Sequence, residues 1–250
     1  MGRSDVRYGI ISDVHSNLEA LEVALDFLRD VDVLLCVGDV VGYGPDPNAC
    51  CDVLRERRIV TVLGNHDAAV VGRTPLDWFN PIAREAIEWT RDQLTAENRA
   101  FLEGLPPVHG VEHFVLAHGS LSSPEKFEYV TSPWEARATF AEMGRHRLCF
   151  IGHTHLAEFY SQKSGETSAG QINMAAGGTV ELKPAFLYII NCGSVGQPRD
   201  YNPKAAVGVY DTEAETVSIE RLDYPIAETQ EKMRAAGLPE PLSERLEAGV

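Results

Sequence analysis

Three carboxylate or carboxamide residues and five histidines share one setting, each following closely on a short apolar run. They are Asp13 and His15 after Val6–Ser12, Asp39 after the run that begins at Val33, Asn65 and His66 after Ile59–Leu63, His118 after His113–Ala117, and His153 and His155 after Arg147–Ile151. A short apolar run that stops at a small polar residue reads as the carboxyl end of a buried strand, where open α/β sheets hold their ligands. One Asp in such a place is ordinarily a turn residue or a helix N-cap, and one His is ordinarily structural. Five of the chain's eight histidines at successive strand ends call for another explanation. Mixed imidazole and carboxylate donors suit manganese, iron, zinc or nickel rather than magnesium or calcium, which prefer oxygen. Two such cations about 3.5–4 Å apart share a bridging carboxylate and acidify a water between them. Asp39, held between Gly38 and Val40, is the candidate bridge.

The elements that must position these residues are legible in outline. Val6–Ser12 is the first expected strand, and Ser16 with Glu19 forms a capping box for a helix carrying Leu18, Leu21, Leu25 and Leu28. A strand from Val33, a helix from Pro47 to Arg57 and a strand from Ile59 to Leu63 follow. That order predicts right-handed crossovers and a parallel sheet. Residues 72–107 read as a helical insertion, with Phe79, Ile82, Ala86, Trp89 and Thr90 at helical spacing. Its aromatics Trp78, Phe79 and Trp89 either line a cleft or anchor the helix on the core. Ser132 and Glu135 open another helix. Beyond His155 the pattern changes to strands joined by turns, near 158–165, 171–175, 185–191, 205–211 and 216–222. The expectation is one α/β domain over 1–224, with a parallel N-terminal half, a mixed or antiparallel C-terminal half, and a peripheral tail over 225–250.

Composition narrows the function. With 250 residues the chain can fill one sizeable core. A net charge of −15 argues against non-specific nucleic-acid binding and against docking on anionic membranes. The N-terminal residues lack the apolar core of a signal peptide, and no apolar run is long enough to span a bilayer. The five cysteines are odd in number and form no C-x-x-C pair, so the expectation is a cytoplasmic protein with reduced thiols.

The blocks Asp13-x-His15, Gly38-Asp39-x-x-Gly42, Gly64-Asn65-His66-Asp67, Ala117-His118-Gly119 and Gly152-His153-x-His155 occur in that order. In this they resemble the calcineurin-like metallophosphoesterases, and the small prokaryotic phosphodiesterase branch in particular. Gly42–Asp46 and Asn191–Arg199 are similar to that branch as well. The resemblance implies a two-sheet β-sandwich flanked by helices. It also implies two divalent transition metals (Mn, Fe, Zn or Ni), one held by Asp13, His15 and His155, the other by Asn65, His118 and His153, with Asp39 bridging. A hydroxide shared by the metals would attack phosphorus, and His66 would stabilise the phosphate or protonate the leaving oxygen. Asp67 is expected either to orient these groups or to cap a helix. Arg199 is expected either to bind substrate or to pair with Asp200, and Ser194 is a further substrate contact. Cys192 stands where the resemblance leads one to expect proline, which either alters the turn or adds a thiol near the site. The implied substrate is a small, nucleotide-like phosphodiester. The alternatives are a dinucleoside polyphosphate, a phosphomonoester or a phosphoprotein, or else no substrate at all, the fold serving as a metal-free protein-binding scaffold.

Overall fold

A computed structural model describes residues 5–250, so the first four residues of the N-terminal segment lie outside the described residues. Among the described residues, twelve strands assemble into two six-stranded mixed sheets. The strands are β1 Arg7–Ile11, β2 Val33–Cys36, β3 Val60–Thr61, β4 Val108–Gly110, β5 Phe114–Ala117, β6 Leu148–Ile151, β7 Ala157–Lys163, β8 Ala169–Asn173, β9 Gly178–Glu181, β10 Phe186–Cys192, β11 Ala205–Asp211 and β12 Thr216–Leu222. The first sheet runs β3-β2-β1-β11-β12-β9 and the second β4-β5-β6-β10-β7-β8. Parallel pairs join β1 to β2, β2 to β3, β5 to β6 and β6 to β10, so the parallel strands of the N-terminal half are divided between both sheets.

Side-chain alternation builds the layers. Ile10, Leu35, Leu148, Phe150, Tyr188 and Ile190 fill the space between the sheets. Their strand neighbours turn the other way, Ile11 and Cys36 toward one helical layer, Cys149, Ile151 and Ile189 toward the other. This is the period of two that a strand imposes. Cys192, the last residue of β10, also faces the inter-sheet core. A Cβ placed on Gly208 would come within 2.4 Å of its Sγ, so the facing strand makes room for the thiol by lacking a side chain. Burial raises the Cys192 thiol well above its usual range, and the residue is a core filler rather than a reactive group at the site.

The helices are α1 Leu18–Phe27, α2 Pro47–Glu56, α3 Asn65–Val70, α4 Pro81–Gln93, α5 Ala96–Glu103, α6 Pro133–Glu142, α7 Ile226–Ala235 and α8 Glu240–Ala248. Three expectations are corrected here. The cap of α1 is Asn17, whose side chain accepts from Ala20 N, because Ser16 is in the left-handed region at φ 55° and bonds Val40 O. Glu19 accordingly turns away from the cap to Thr229 and Lys232. On α4, Ile82 faces solvent while Ala83, Ala86, Ile87 and Thr90 are buried. Residues 225–250 are not peripheral. They form α7 and α8, whose Met233, Leu238, Leu242 and Leu246 are buried with Tyr43, Ala83 and Ala86. No helix among the described residues is long and apolar enough to cross a membrane.

Candidate metal centre

The strand-end residues converge on one rim of the sandwich. Asp13 and His15 leave β1, Asp39 leaves β2, Asn65 and His66 open α3, His118 leaves β5, and His153 and His155 leave β6. Backbone pairing continues past the strands, with Asp13 N donating to Gly38 O at 3.0 Å and His15 N to Asp39 O at 3.0 Å. Gly152 N joins His118 O at 2.9 Å. Asp13, His15, Asp39, His153 and His155 all hold left-handed backbone, with φ between 48° and 69°. For residues with a Cβ that conformation costs about 1–2 kcal/mol each, strain of the kind found at functional sites.

Two groups of donors result, Asp13/His15/Asp39/His155 and Asp39/His118/His153, each with its ligand atoms within 4.8 Å of one another. Asp39 belongs to both. Asn65 completes the second group, its Oδ1 lying 3.1 Å from His118 Nε2. All of these are buried except Asn65, which is half-buried at the cleft.

The chemistry of these donors fits a cation. His15, His118 and His155 place Nδ1 3.2, 2.8 and 2.5 Å from the carbonyls of Val41, Val37 and Gln197. A carbonyl only accepts, so Nδ1 holds a proton, and wherever the ring is neutral it presents a lone pair at Nε2. Those lone pairs meet other lone pairs. His15 Nε2 lies 3.0 Å from His155 Nε2, His118 Nε2 lies 3.2 Å from Asp39 Oδ2, and His155 Nε2 lies 3.3 Å from Asp13 Oδ1. Asp39 Oδ2 is buried without a hydrogen-bond partner. Such an arrangement is repulsive unless positive charge lies between the atoms. Protons supply little of it, since burial holds the imidazoles of His15, His153 and His155 well below their usual range. His118 differs. Burial lowers it too, but the Asp39 carboxylate beside it prevails and lifts it to about 9. Burial also raises the Asp13 carboxyl to about 6, whereas for Asp39 the surrounding imidazoles overcome burial and keep it ionised.

Other groups hold this frame. Ser12 Oγ donates to Asp13 Oδ2 at 2.6 Å, and His66 N donates to Asp39 Oδ1 at 2.8 Å. Asp67 accepts from Gly64 N at 3.1 Å, capping α3, and from Val41 N at 3.1 Å. It thus both caps a helix and fixes the loop after Asp39. The His66 ring stands 4.3 Å from Tyr43, 4.8 Å from His15 and 5.1 Å from Phe79. Burial lowers its imidazole to about 4. A cleft of about 170 Å³ opens above it, lined by Asn65, His66, His153, Tyr43, Phe79 and Tyr129, among others.

Two expected substrate contacts fare differently. Ser194 is fully buried, its hydroxyl donating to Asp13 O at 2.8 Å and accepting from Gln197 N at 2.8 Å. It pins the 194–199 loop to the end of β1 and does not reach the cleft. Arg199 stands beside the site, its Cζ 5.6 Å from the centroid of Tyr43, a residue that lines the cleft, though Arg199 itself does not line it. Asp200 is not its partner, because that carboxylate pairs with Arg221. Trp78 is largely exposed at the cleft mouth and Phe79 packs on His66, so this pair of aromatics lines the cleft. Sequence reasoning missed Tyr129, stacked 3.9 Å from His153, and Arg245 on α8, which donates to Gln197 Oε1 at 3.3 Å. Neither lies beside an apolar run that ends in a glycine-flanked ligand, the signal that singled out the others.

Comparison with known proteins agrees with this geometry. Residues 6–215 match the calcineurin-like phosphoesterase superfamily domain. An uncharacterised protein of Methanocaldococcus jannaschii is 35% identical over 248 residues, covering 96% of this chain and 97% of its own. The crystal structure of a metallophosphoesterase from Sphaerobacter thermophilus superposes with a TM-score of 0.85 at 41% identity, covering 99% of this chain and 100% of that one. A hypothetical protein from Pyrococcus horikoshii shares the fold, with a TM-score of 0.79 at 16% identity, covering 98% and 99% of the two chains.

Proposed function

The chain belongs to the calcineurin-like phosphoesterase superfamily, and from that premise we propose that it is a phosphodiesterase of small, nucleotide-like phosphodiesters with a dinuclear transition-metal centre. The observation that carries this reading is the pair of buried donor groups sharing Asp39. Asp13, His15 and His155 would hold one ion, Asn65, His118 and His153 the other, and Asp39 both. Bound there, the ions supply positive charge to the phosphoryl oxygens and acidify a water between them.

The chain's own residues do the rest. Carbonyls at Val37, Val41 and Gln197 fix three imidazoles in the tautomer that ligates, and Ser12 and the His153 and His66 amides orient the two carboxylates. His66, neutral at physiological pH, is an N–H donor suited to a phosphoryl or leaving oxygen. The flat faces of Tyr43, Phe79 and Tyr129 suit a base or sugar on the ester. A net charge of −15 disfavours phosphoprotein and long polyanions. A scaffold freed from catalysis would have no need of seven convergent donors, six of them buried. The cysteines are all unpaired and buried, in keeping with a reducing, cytoplasmic setting.

The test is hydrolysis of bis(p-nitrophenyl) phosphate and of p-nitrophenyl phosphate with added manganese, for the natural protein and Asp39→Ala. The expected result is faster turnover of the diester and a loss of about a thousandfold or more in the variant. Equal turnover by the two proteins would exclude the shared carboxylate from the reaction, and preference for the monoester would exclude the diesterase assignment.

A further inference from the structure

Two guanidinium groups beside the centre have no task in the chemistry above. Arg199, from the loop between β10 and β11, and Arg245, near the end of α8, donate to the same atom, Gln197 Oε1, at 2.8 and 3.3 Å. The two cations therefore sit close together on one neutral amide oxygen. Among the described residues neither has a carboxylate at ion-pair distance, in a chain with 37 acidic and 22 basic residues. Several half-buried arginines are matched by carboxylates, Arg55 by Asp52 and Glu97, Arg147 by Glu215, and Arg221 by Asp200, whereas Arg91 and Arg99 rest on helix carbonyls but do not share an acceptor atom with a second guanidinium. Arg199 Nε is buried with no acceptor at all. Burial, and then the charge of Arg199, lower the Arg245 guanidinium from its usual range.

This costs free energy, and the fold imposes it. Leu242 and Leu246 bury α8 against Tyr43 and α4, while Tyr201 N donates to Gly249 O at 2.8 Å and seats the helix end on the loop that follows Arg199. The pair also adjoins the cleft. Arg199 lies over Tyr43, whose ring is 4.3 Å from that of His66. Arg245 lines a cavity of about 290 Å³ that shares Tyr43, Asn80 and Ala83 with the cleft above His66. An anion between two guanidinium forks would satisfy the free N–H groups and relieve their repulsion.

We propose that Arg199 and Arg245, spaced by Gln197, form a subsite for a second anionic group of the substrate, a phosphoryl or carboxylate a few bonds from the scissile phosphorus. This rests on the phosphoesterase reading and narrows it toward linear, doubly anionic esters and away from cyclic mononucleotides.

The experiment is calorimetric titration of the metal-loaded protein with three ligands of similar length. Glycerol 3-phosphate has one anionic end, 3-phosphoglycerate adds a carboxylate, and propane-1,3-diol bisphosphate adds a phosphoryl group. The expected result is binding of at least one doubly anionic ligand about tenfold or more tighter than glycerol 3-phosphate, the worth of a charge-assisted contact. Which of the two gains identifies the anion. Arg245→Gln and, from a different element, Arg199→Gln should each erase most of that advantage, and Arg245→Lys should restore part of it. The subsite is overturned if neither doubly anionic ligand gains, or if the gain survives both glutamine variants. Hydrolysis of bis(p-nitrophenyl) phosphate by the same sample tests the catalytic reading separately. No turnover with the anion preference intact would refute the phosphodiesterase and uphold the subsite.

Discussion

Replacing Gly64 with Ala adds one methyl group at the most crowded point of the rim. Gly64 lies in extended backbone at φ −91°, which alanine adopts freely, so the effect is steric alone. The new Cβ would lie 2.1 Å from Asp39 Oδ1 and 2.2 Å from Asp39 N, where real contacts are essentially never under 3.0 Å. The carboxylate must therefore withdraw by about 1 Å, and the amide beside it leaves no easier path. A misplacement of that size costs on the order of a hundredfold in rate, and overpacking costs about 1–3 kcal/mol of stability. Gly104→Ala is the control, at φ −80° with nothing nearer than 3.4 Å. The assay is kcat/KM for bis(p-nitrophenyl) phosphate with bound manganese measured on the same samples. Gly64→Ala should lose about a hundredfold in kcat/KM and part of its metal, while Gly104→Ala loses neither. Natural kinetics and metal content in Gly64→Ala would refute the claim that the bridge position depends on that missing side chain.

Three further outcomes are expected. His66→Asn should lower kcat by roughly a hundredfold, the worth of a positioned proton donor, with metal content unchanged; coordinate loss of metal would make His66 a ligand instead. No cysteine should react with a thiol reagent in the folded protein, and all five should react in denaturant, since burial raises every one of these thiols, Cys149 to about 12. Glu158, buried against Tyr160 and Gln171, has its carboxyl raised by burial, so its contribution is present in acid and lost as pH rises through the folded value. Relative to Glu158→Gln, the natural protein should therefore gain melting temperature between pH 7 and pH 4.5, and a constant difference would refute the assignment.

The candidate ligands were legible because each stands where an apolar run stops. What depends on tertiary docking was not. Ser16 and Glu19 have the spacing of a capping box, yet the tight turn out of β1 puts Ser16 in left-handed backbone and hands the cap to Asn17. Ser194 has the chemistry of a substrate contact, but its hydroxyl is consumed by Asp13 O and Gln197 N. The strand β9 is almost wholly exposed and shows no alternation to read. Arg245 gains its meaning from where α8 lands, 48 positions from the amide it shares with Arg199. The polar look of 225–250 hid the buried stripe of Met233, Leu242 and Leu246.

The pairing of β1 with β11 bears on how the chain is made. Ile10 faces Gly208 across that ladder, so one flank of β1 lacks its partner until residues near 211 have been synthesised. At about 5–20 residues per second, a ribosome would leave that edge open for roughly 10–40 s. During that interval Ile10 and Ile11 are adhesive surface rather than core, and nascent chains are at their most prone to clump. Slower translation should lower the soluble yield of this protein, and added chaperone should recover it.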